Sequence, residues 1–300
     1  MKLKFYEDTS VFYEDGKLTE EPEETLEELM KQYRHNYDVY SKGKRKMVEA
    51  ARPYTKWYWI NNMEPVFIED HARNYGHRTR ANAAWSDITL ALATDFSSPG
   101  EITTRNAAGD KYLRYQLTHN LKNIVIFSRD GEREARKIAQ MIRSHTCYKE
   151  DGIRLNIAGN GLVTLLKSGV DTGLVASFIE TVFDVCKEEG VKILEVRSGG
   201  QSGVDEAGII AAQRSKIKCS VLAPKGYRWR DKKGDEKEGK ASFVKRFKEE
   251  YIDQDAWKKA KPEEYTDSGL AEFNCSNALD YLSYEIDLKI MHINAQEANK

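Results

Sequence analysis

Short apolar runs alternate with segments whose apolar positions recur every three or four residues across the middle of the chain. Residues 86–96 form the first strong run, with Ile88, Leu90, Ala91 and Leu92 at its centre. Residues 112–117, 123–127, 153–158, 191–196 and 219–223 are further strand-like runs. Between them the period changes. Ala135, Ile138, Ala139 and Ile142 share one side of a predicted helix over 132–144. Leu174, Phe178, Val182 and Val185 do the same over 171–190, and Gly190 supplies the stop. A shorter helix is predicted from residue 102 to Gly109, after a turn over 97–101. Ile209, Ile210, Ala211 and Ala212 mark the buried side of another. Strands alternating with helices at this spacing predict an α/β fold with a mainly parallel sheet. The carboxyl ends of such strands share one edge, so their turns converge on one pocket.

The flanks read differently. Phe5, Tyr6, Val11, Phe12 and Tyr13 alternate with acidic residues, and Asp15-Gly16 predicts a hairpin turn. An acidic helix start at 19–24 leads into Leu26, Leu29, Met30, Tyr33 and Tyr37 at helical spacing. Residues 42–46 are a basic run, read as a solvated loop or helix end. Tyr54, Trp57, Tyr58 and Trp59 concentrate aromatics, read as a core or subunit contact with base stacking as the alternative. Beyond Tyr227 the chain becomes densely charged and is read as an exposed loop over the pocket. Helices are predicted over 243–251 and 277–293. The expected division is an N-terminal arm and helical extension over 1–62, a ligand-binding domain over 63–232, and a charged loop with a C-terminal helical extension over 233–300.

Composition narrows the classes. The chain has 300 residues, 40% hydrophobic and 32% charged, which fits a soluble globular protein. A formal net charge of −1 gives no overall basic field, so nucleic acid is not the expected partner. No apolar run reaches membrane-spanning length, and the first residues lack the apolar core of a signal peptide. A cytoplasmic location is expected. Cys147, Cys186, Cys219 and Cys275 lie far apart, without the spacing of a redox pair or zinc knuckle. Reduced thiols are expected.

The chemistry-bearing stretch is residues 195–208. Between the run ending at Val196 and the helix at Ile209 stand Ser198, Gly199, Gly200, Gln201, Ser202, Gly203 and Asp205. Glycines let backbone N–H groups approach a ligand, and a helix N-terminus adds partial positive charge. The N–H groups of Gly199, Gly200, Gln201 and Ser202 are the candidates to hold an anion. Asp205 either caps the next helix or accepts from a ribose or base. Other runs end in comparable turns: Gly159-Asn160-Gly161, Pro224-Lys225-Gly226, and the turn carrying Gly100 and Glu101. Residues 71–80 are dense in cations and donors suited to phosphate or carboxylate. His71 and His77 stand six apart without the carboxylate pattern of a known metal motif, so no metal site is expected there.

Ser198-Gly199-Gly200-Gln201-Ser202-Gly203-Val204-Asp205 resembles the opening signature of the YpsA-like and putative molybdenum-carrier branch of the SLOG superfamily. A Pro-Lys-Gly strand end follows that signature in the branch, as at Pro224-Lys225-Gly226 here. The branch's later pieces resemble segments that lie upstream in this chain. Arg78-Thr79, Asn82, Ser86-Asp87 and Thr89-Leu90 match a middle segment, Gly100 and Thr104 parts of a loop, and Leu155-Asn156-Ile157-Ala158-Gly159 the terminal strand. The order looks circularly permuted, joined through the helix over 171–190. The resemblance spans roughly residues 65–230. It implies a Rossmann-like domain that binds nucleotides or nucleotide-derived ligands. It also implies Lys225 and Arg78 as charge donors, and Thr79, Asn82 and Asp87 as a facing wall. Pro99 and Glu101 depart from the glycine and threonine usual in the branch's loop. A carboxylate there repels a phosphate unless a cation intervenes, or it contacts ribose hydroxyls. The phosphoribohydrolase signature Pro-Gly-Gly-x-Gly-Thr-x-x-Glu and the P-loop pattern are both absent.

Three functions follow as expectations. The first is binding of a nucleotide-derived ligand as sensor, carrier or sponge, in a homo-oligomer. The second is hydrolysis of a glycosidic or phosphate bond of such a ligand, with Asp205, Glu206 and Glu101 as the available carboxylates. The third is a scaffold or inhibitor with an idle pocket.

Overall fold

The computed structural model describes residues 55–72, 74–117, 128–231 and 233–253, with a short hairpin at Tyr13–Glu14 and Lys17–Leu18 and residues 53, 256 and 259. The predicted helices at 26–37 and 277–293, the basic run at 42–46, the strand at 123–127, Tyr54 and Cys275 lie outside the described residues. The antiparallel strands pair Tyr13 with Leu18 and Glu14 with Lys17, while Asp15-Gly16, where a turn is predicted, lies outside the described residues. Trp57–Glu250 form one compact unit, separate from a second made of Met1–Lys56 and Tyr251–Lys300.

After the hairpin the described elements, in chain order, are β1 (Thr55–Trp59), β2 (Val66–Glu69), α1 (Tyr75–Trp85), β3 (Ile88–Ala93), α2 (Pro99–Ala108), β4 (Tyr112–Gln116) and α3 (Ser128–Arg143). Then follow β5 (Ile153–Gly159), α4 (Leu162–Lys167), α5 (Thr172–Glu188), β6 (Ile193–Ser198), α6 (Val204–Arg214) and β7 (Cys219–Ala223). The last elements are β8 (Trp229–Arg230), β9 (Glu236–Lys237), α7 (Lys240–Lys245) and β10 (Lys248–Ile252). Six strands form one sheet in the order β2-β7-β6-β5-β3-β4, and every pair in it is parallel. This is the Rossmann-like α/β architecture that the alternation of periods predicts.

Strand alternation assigns the two faces of the sheet. Leu155, Ile157 and Val196 point into the core shared with Val175, Phe178, Ile179 and Val182 of α5 and Ile209 of α6. Gly208 of α6 sits so close to Ile157 that a β-carbon there would lie 2.6 Å from an Ile157 methyl. Arg154, Asn156 and Arg197 point to the other face, where the Arg154 and Arg197 guanidiniums lie over the Trp85 ring of α1. Helices α1 and α2 pack together on that side. Central strand β3 is buried at every position, as its unbroken apolar run requires. The four apolar residues assigned to the inner side of α3 (Ala135, Ile138, Ala139, Ile142) are fully buried. No helix among the described residues is long and apolar enough to cross a membrane.

Three local readings need correction, and one helix goes unannounced by the apolar pattern. Residues 99–101 are not turn but the first turn of α2, with Ser98 as the cap and Pro99 at the first helical position. Helix α1 occupies the cation-rich segment, which carries no apolar stripe to announce it; the Asn74 side chain starts it by accepting from the His77 N–H at 3.0 Å. The charged segment after Tyr227 is a hairpin, with Trp229 opposite Lys237 and Arg230 opposite Glu236. The helix expected over 243–251 ends at Lys245, and residues 248–252 are strand β10, paired with β1. The long-range partner β1 decides that last case, and local spacing cannot see it. Of the aromatic run, Trp59 packs on Phe67 with ring centroids 6.0 Å apart, whereas Trp57 and Tyr58 are exposed.

Candidate functional site

From β3 the chain moves one way, through α2 to edge strand β4. From β5 it moves the other way, through α5 to β6 and then β7. The neighbouring strands β3 and β5 therefore feed helices on opposite faces, and a crevice opens between their carboxyl ends. A cavity of about 440 Å³ occupies it. Its walls come from the start of α1 (Tyr75, Arg78, Thr79, Asn82), the start of α2 (Ser98, Gly100, Glu101, Thr104), the end of β5 (Asn156, Gly159, Asn160, Gly161) and the loop after β6 (Gly199, Gln201, Ser202, Asp205). Arg230 of the hairpin closes one side.

The glycine-rich loops are zipped to each other before any ligand is considered. Leu162 N–H donates to Ser202 O at 2.8 Å, Val204 N–H to Asn160 O at 3.2 Å, and Gly161 bridges Gly203. Gly203 has φ +112°, and a β-carbon there would lie 2.5 Å from Asn160 O. Its glycine serves this loop contact. Gly200 likewise turns inward at φ +68°, against Val221 and Phe243, and does not line the cavity. Asn160 is a clamp between walls. Its Oδ1 accepts from Thr94 N–H, Thr94 Oγ1–H and Asp95 N–H at 2.9–3.1 Å, and its Nδ2 donates to Asp95 O at 2.9 Å. Asn160→Ala strips these bonds from the part-buried Thr94–Asp95 segment and is expected to cost roughly 2 kcal/mol, read as a lower urea midpoint at unchanged slope.

The anion cradle already holds an anion of the protein's own. The Asp205 carboxylate accepts from Gln201 N–H at 3.4 Å and from the Gly199 N–H. Asp205 is thus neither the helix cap, a position taken by Gly203, nor free to leave those amides to a phosphate. The buried Arg78 guanidinium lies over Gly199 and attracts the same carboxylate. Burial nevertheless pushes Asp205 up to about 6, against the pull of Arg78 and the loop amides. Glu101 is 3% exposed and has no cation at hand. Burial first, then the charges of Asp205 and Asp95, raise it to about 8. Both carboxyl groups of the cavity are therefore held above the ordinary carboxylate range, Glu101 further than Asp205.

Three buried acceptors in this cavity have no hydrogen-bond partner among the described residues: Asn82 Oδ1, Glu101 Oε2 and Asn156 Oδ1. A buried polar atom left unpaired costs on the order of 1–3 kcal/mol, so three around one cavity mark where a donor-bearing ligand belongs. Asn156 was missed by motif reasoning. Its signal in the sequence is a lone amide inside an apolar strand, between Leu155 and Ile157. Tyr75 and Arg230 carry no local signal at all.

Several predicted site residues lie elsewhere. Asp87 sits at the amino end of β3, bound to Lys149 at 2.6 Å and to the Arg154 N–H at 2.8 Å. Those partners outweigh the desolvation of burial and hold it down at about 2. Glu206 pairs with Arg246, which also donates to Gly200 O at 3.2 Å and so props the loop from behind. Ser198 is fully buried at the end of β6, outside the cavity. Pro224 lines a smaller adjoining pocket of about 240 Å³. Lys225 is exposed beyond both pockets, and the Gly226 N–H is taken by Glu69 at 2.8 Å.

In comparisons with known proteins, no family model, no curated protein and no solved structure matches the chain.

Proposed function

We propose that this chain binds a nucleotide or nucleotide-derived small molecule in the β3–β5 crevice, as a sensor, carrier or sponge, in keeping with its SLOG-like signature. The observation that carries the reading is the trio of buried, unpartnered side-chain oxygens that line one cavity. Ribose hydroxyls and base N–H groups are donors that satisfy such oxygens. Arg78 and Arg230 supply positive charge for a phosphate, and the cavity volume suits a small-molecule ligand. The half-exposed Tyr75 ring stands at the rim, with Arg78 4.4 Å from its centroid. The mode differs from a phosphate cradle: the loop amides hold Asp205, and the anion meets side-chain cations instead.

The first test is mass spectrometry of small molecules released by heat from freshly purified protein. It is paired with thermal-shift titration against ribonucleoside mono-, di- and triphosphates, nucleotide sugars and cyclic dinucleotides. A nucleotide-type species released in stoichiometric amount, or a shift lost in Asn156→Leu, is the expected result. An empty protein with no shift across the panel overturns the reading. Gly200→Asp is unsuited to this test, because that substitution strikes Val221 and Phe243 rather than the ligand wall.

One observation favours hydrolysis as a second reading. Two carboxyl groups whose environments place them at about 8 and about 6 line the same cavity. Glu101 then donates a proton to a leaving group while Asp205 stays ionised to stabilise positive charge or activate water. The signs predict a bell-shaped rate. It rises as Asp205 ionises above about 6 and falls as Glu101 deprotonates above about 8. Glu101→Gln removes the alkaline limb together with most of the turnover. Ligand binding without turnover in the wild type leaves the first reading alone.

A further inference from the structure

Beside the cavity, β2 delivers Asp70 to the same carboxyl edge of the sheet. Its backbone N–H donates to Ala223 O at 2.8 Å, which extends the β2–β7 ladder. The side chain is buried, and two imidazoles converge on one of its oxygens. Asp70 Oδ1 lies 2.9 Å from His77 Nδ1 and 3.4 Å from His71 Nδ1. The three ligand atoms all fall within 4.8 Å of one another, and the two rings meet edge to face with centroids 4.4 Å apart. His77 is held by the first turn of α1, and the carboxylate is fixed further by the Ala72 N–H at 3.2 Å. His71, by contrast, is largely exposed. A solvated imidazole gains little from this position, where its contacts are the one at 3.4 Å and the His77 ring.

We propose that Asp70, His71 and His77 form a binding site for one divalent transition ion of the zinc class. Zinc bonds of about 2.0–2.1 Å at tetrahedral angles set neighbouring ligand atoms roughly 3.4 Å apart. The two measured separations, 2.9 and 3.4 Å, need only small adjustment to meet that spacing. Two imidazole nitrogens with one carboxylate oxygen suit zinc, cobalt(II) or nickel(II) rather than calcium or magnesium. Three protein ligands leave a coordination position open. Asp70 also lines the adjoining pocket of about 240 Å³, together with Tyr75, Arg78, Arg230 and Glu236, while neither histidine does. Those arginines favour an anionic oxygen, from phosphate or carboxylate, as the fourth ligand. Linear spacing hides the site because its carboxylate precedes the first histidine directly, while the second arrives on a helix that the apolar pattern does not show.

The test uses the full chain without a histidine tag, stripped of metal. Zinc(II) is titrated against a chromophoric chelator, and cobalt(II) is followed by its visible absorption. One equivalent per chain is expected, with a cobalt(II) band in the range of four- or five-coordinate sites. His71→Ala changes an exposed side chain and is expected to weaken zinc(II) by at least about 10-fold, and His71→Ala/His77→Ala by roughly 100-fold. Circular dichroism checks that each variant folds. Equal affinity in wild type and the folded double variant overturns the proposal, as does a wild type that takes up no metal at about 100 µM zinc(II). The readout involves no nucleotide, so it stands or falls apart from the crevice reading.

Discussion

Gly159→Ala is expected to leave the chain without its native sheet. Gly159 closes β5 opposite Leu92 of β3. A β-carbon at this position would overlap the Leu92 carbonyl oxygen and lie 2.8 Å from both Val204 methyl groups. One obstacle is backbone in the fully buried central strand. The other is the first residue of α6, itself fully buried. Neither can swing aside as a surface side chain would. Relief requires β3 and β5 to part at the point where the crevice is built. Overpacking a well-filled core costs about 1–3 kcal/mol when side chains absorb it, and displaced backbone takes the figure above roughly 4 kcal/mol. Urea denaturation and near-ultraviolet circular dichroism read the effect. Gly100→Ala is the control: it lies in α2, its β-carbon meets nothing within 4 Å, and it is expected to gain about 0.5–1 kcal/mol. A Gly159→Ala midpoint equal to wild type would falsify the packing argument.

The second large effect is on pH. Glu101 in the folded chain stands at about 8, against 4.5 for an ordinary glutamate. Between those values the folded state keeps a proton that the unfolded state has lost. Folding therefore weakens as pH rises through that window, and the full penalty is present above it. Asp205 adds a smaller penalty of the same sign between 3.8 and about 6. Glu101→Gln keeps the shape and removes the ionisation. At pH 9 it is expected to stabilise the chain by on the order of 4 kcal/mol, and at pH 4 by little. Urea midpoints measured from pH 4 to pH 9 decide it. The variant's profile flattens above pH 6, and parallel profiles for variant and wild type contradict a neutral buried Glu101. A group kept at such a cost, inside a cavity with unpartnered acceptors, is what a ligand site retains and a purely structural core does not.

Asp205 shows how far the motif reading reaches. Strand, glycine turn and helix are where the pattern puts them, and the loop amides do point at an anion. That anion is the protein's own carboxylate, because a residue at the second position of α6 can fold back onto its loop at a distance of 3.4 Å. Glycines chosen as ligand contacts divide in the same way. Gly199 and Gly161 face the cavity, whereas Gly200 and Gly203 let the loop pack on its neighbours. A glycine is equally legible in both roles until the neighbouring loop is in place.

Local periodicity by itself determined the runs that form β3 to β7, the inner faces of α3 and α5, and the parallel sense that sends several turns to one edge, but it did not mark edge strand β2. These depend on residues close in the chain and on which side chains avoid water. The tertiary structure alone decided which turns meet. It placed Asp87 at the wrong end of its strand for the crevice, paired Glu206 with Arg246, and brought Asn82, Glu101 and Asn156 around one cavity. It also set their chemistry. The charge state of Glu101 depends first on the exclusion of water and then on Asp205, far away in sequence, conditions that exist only once β3, β5 and β6 stand side by side.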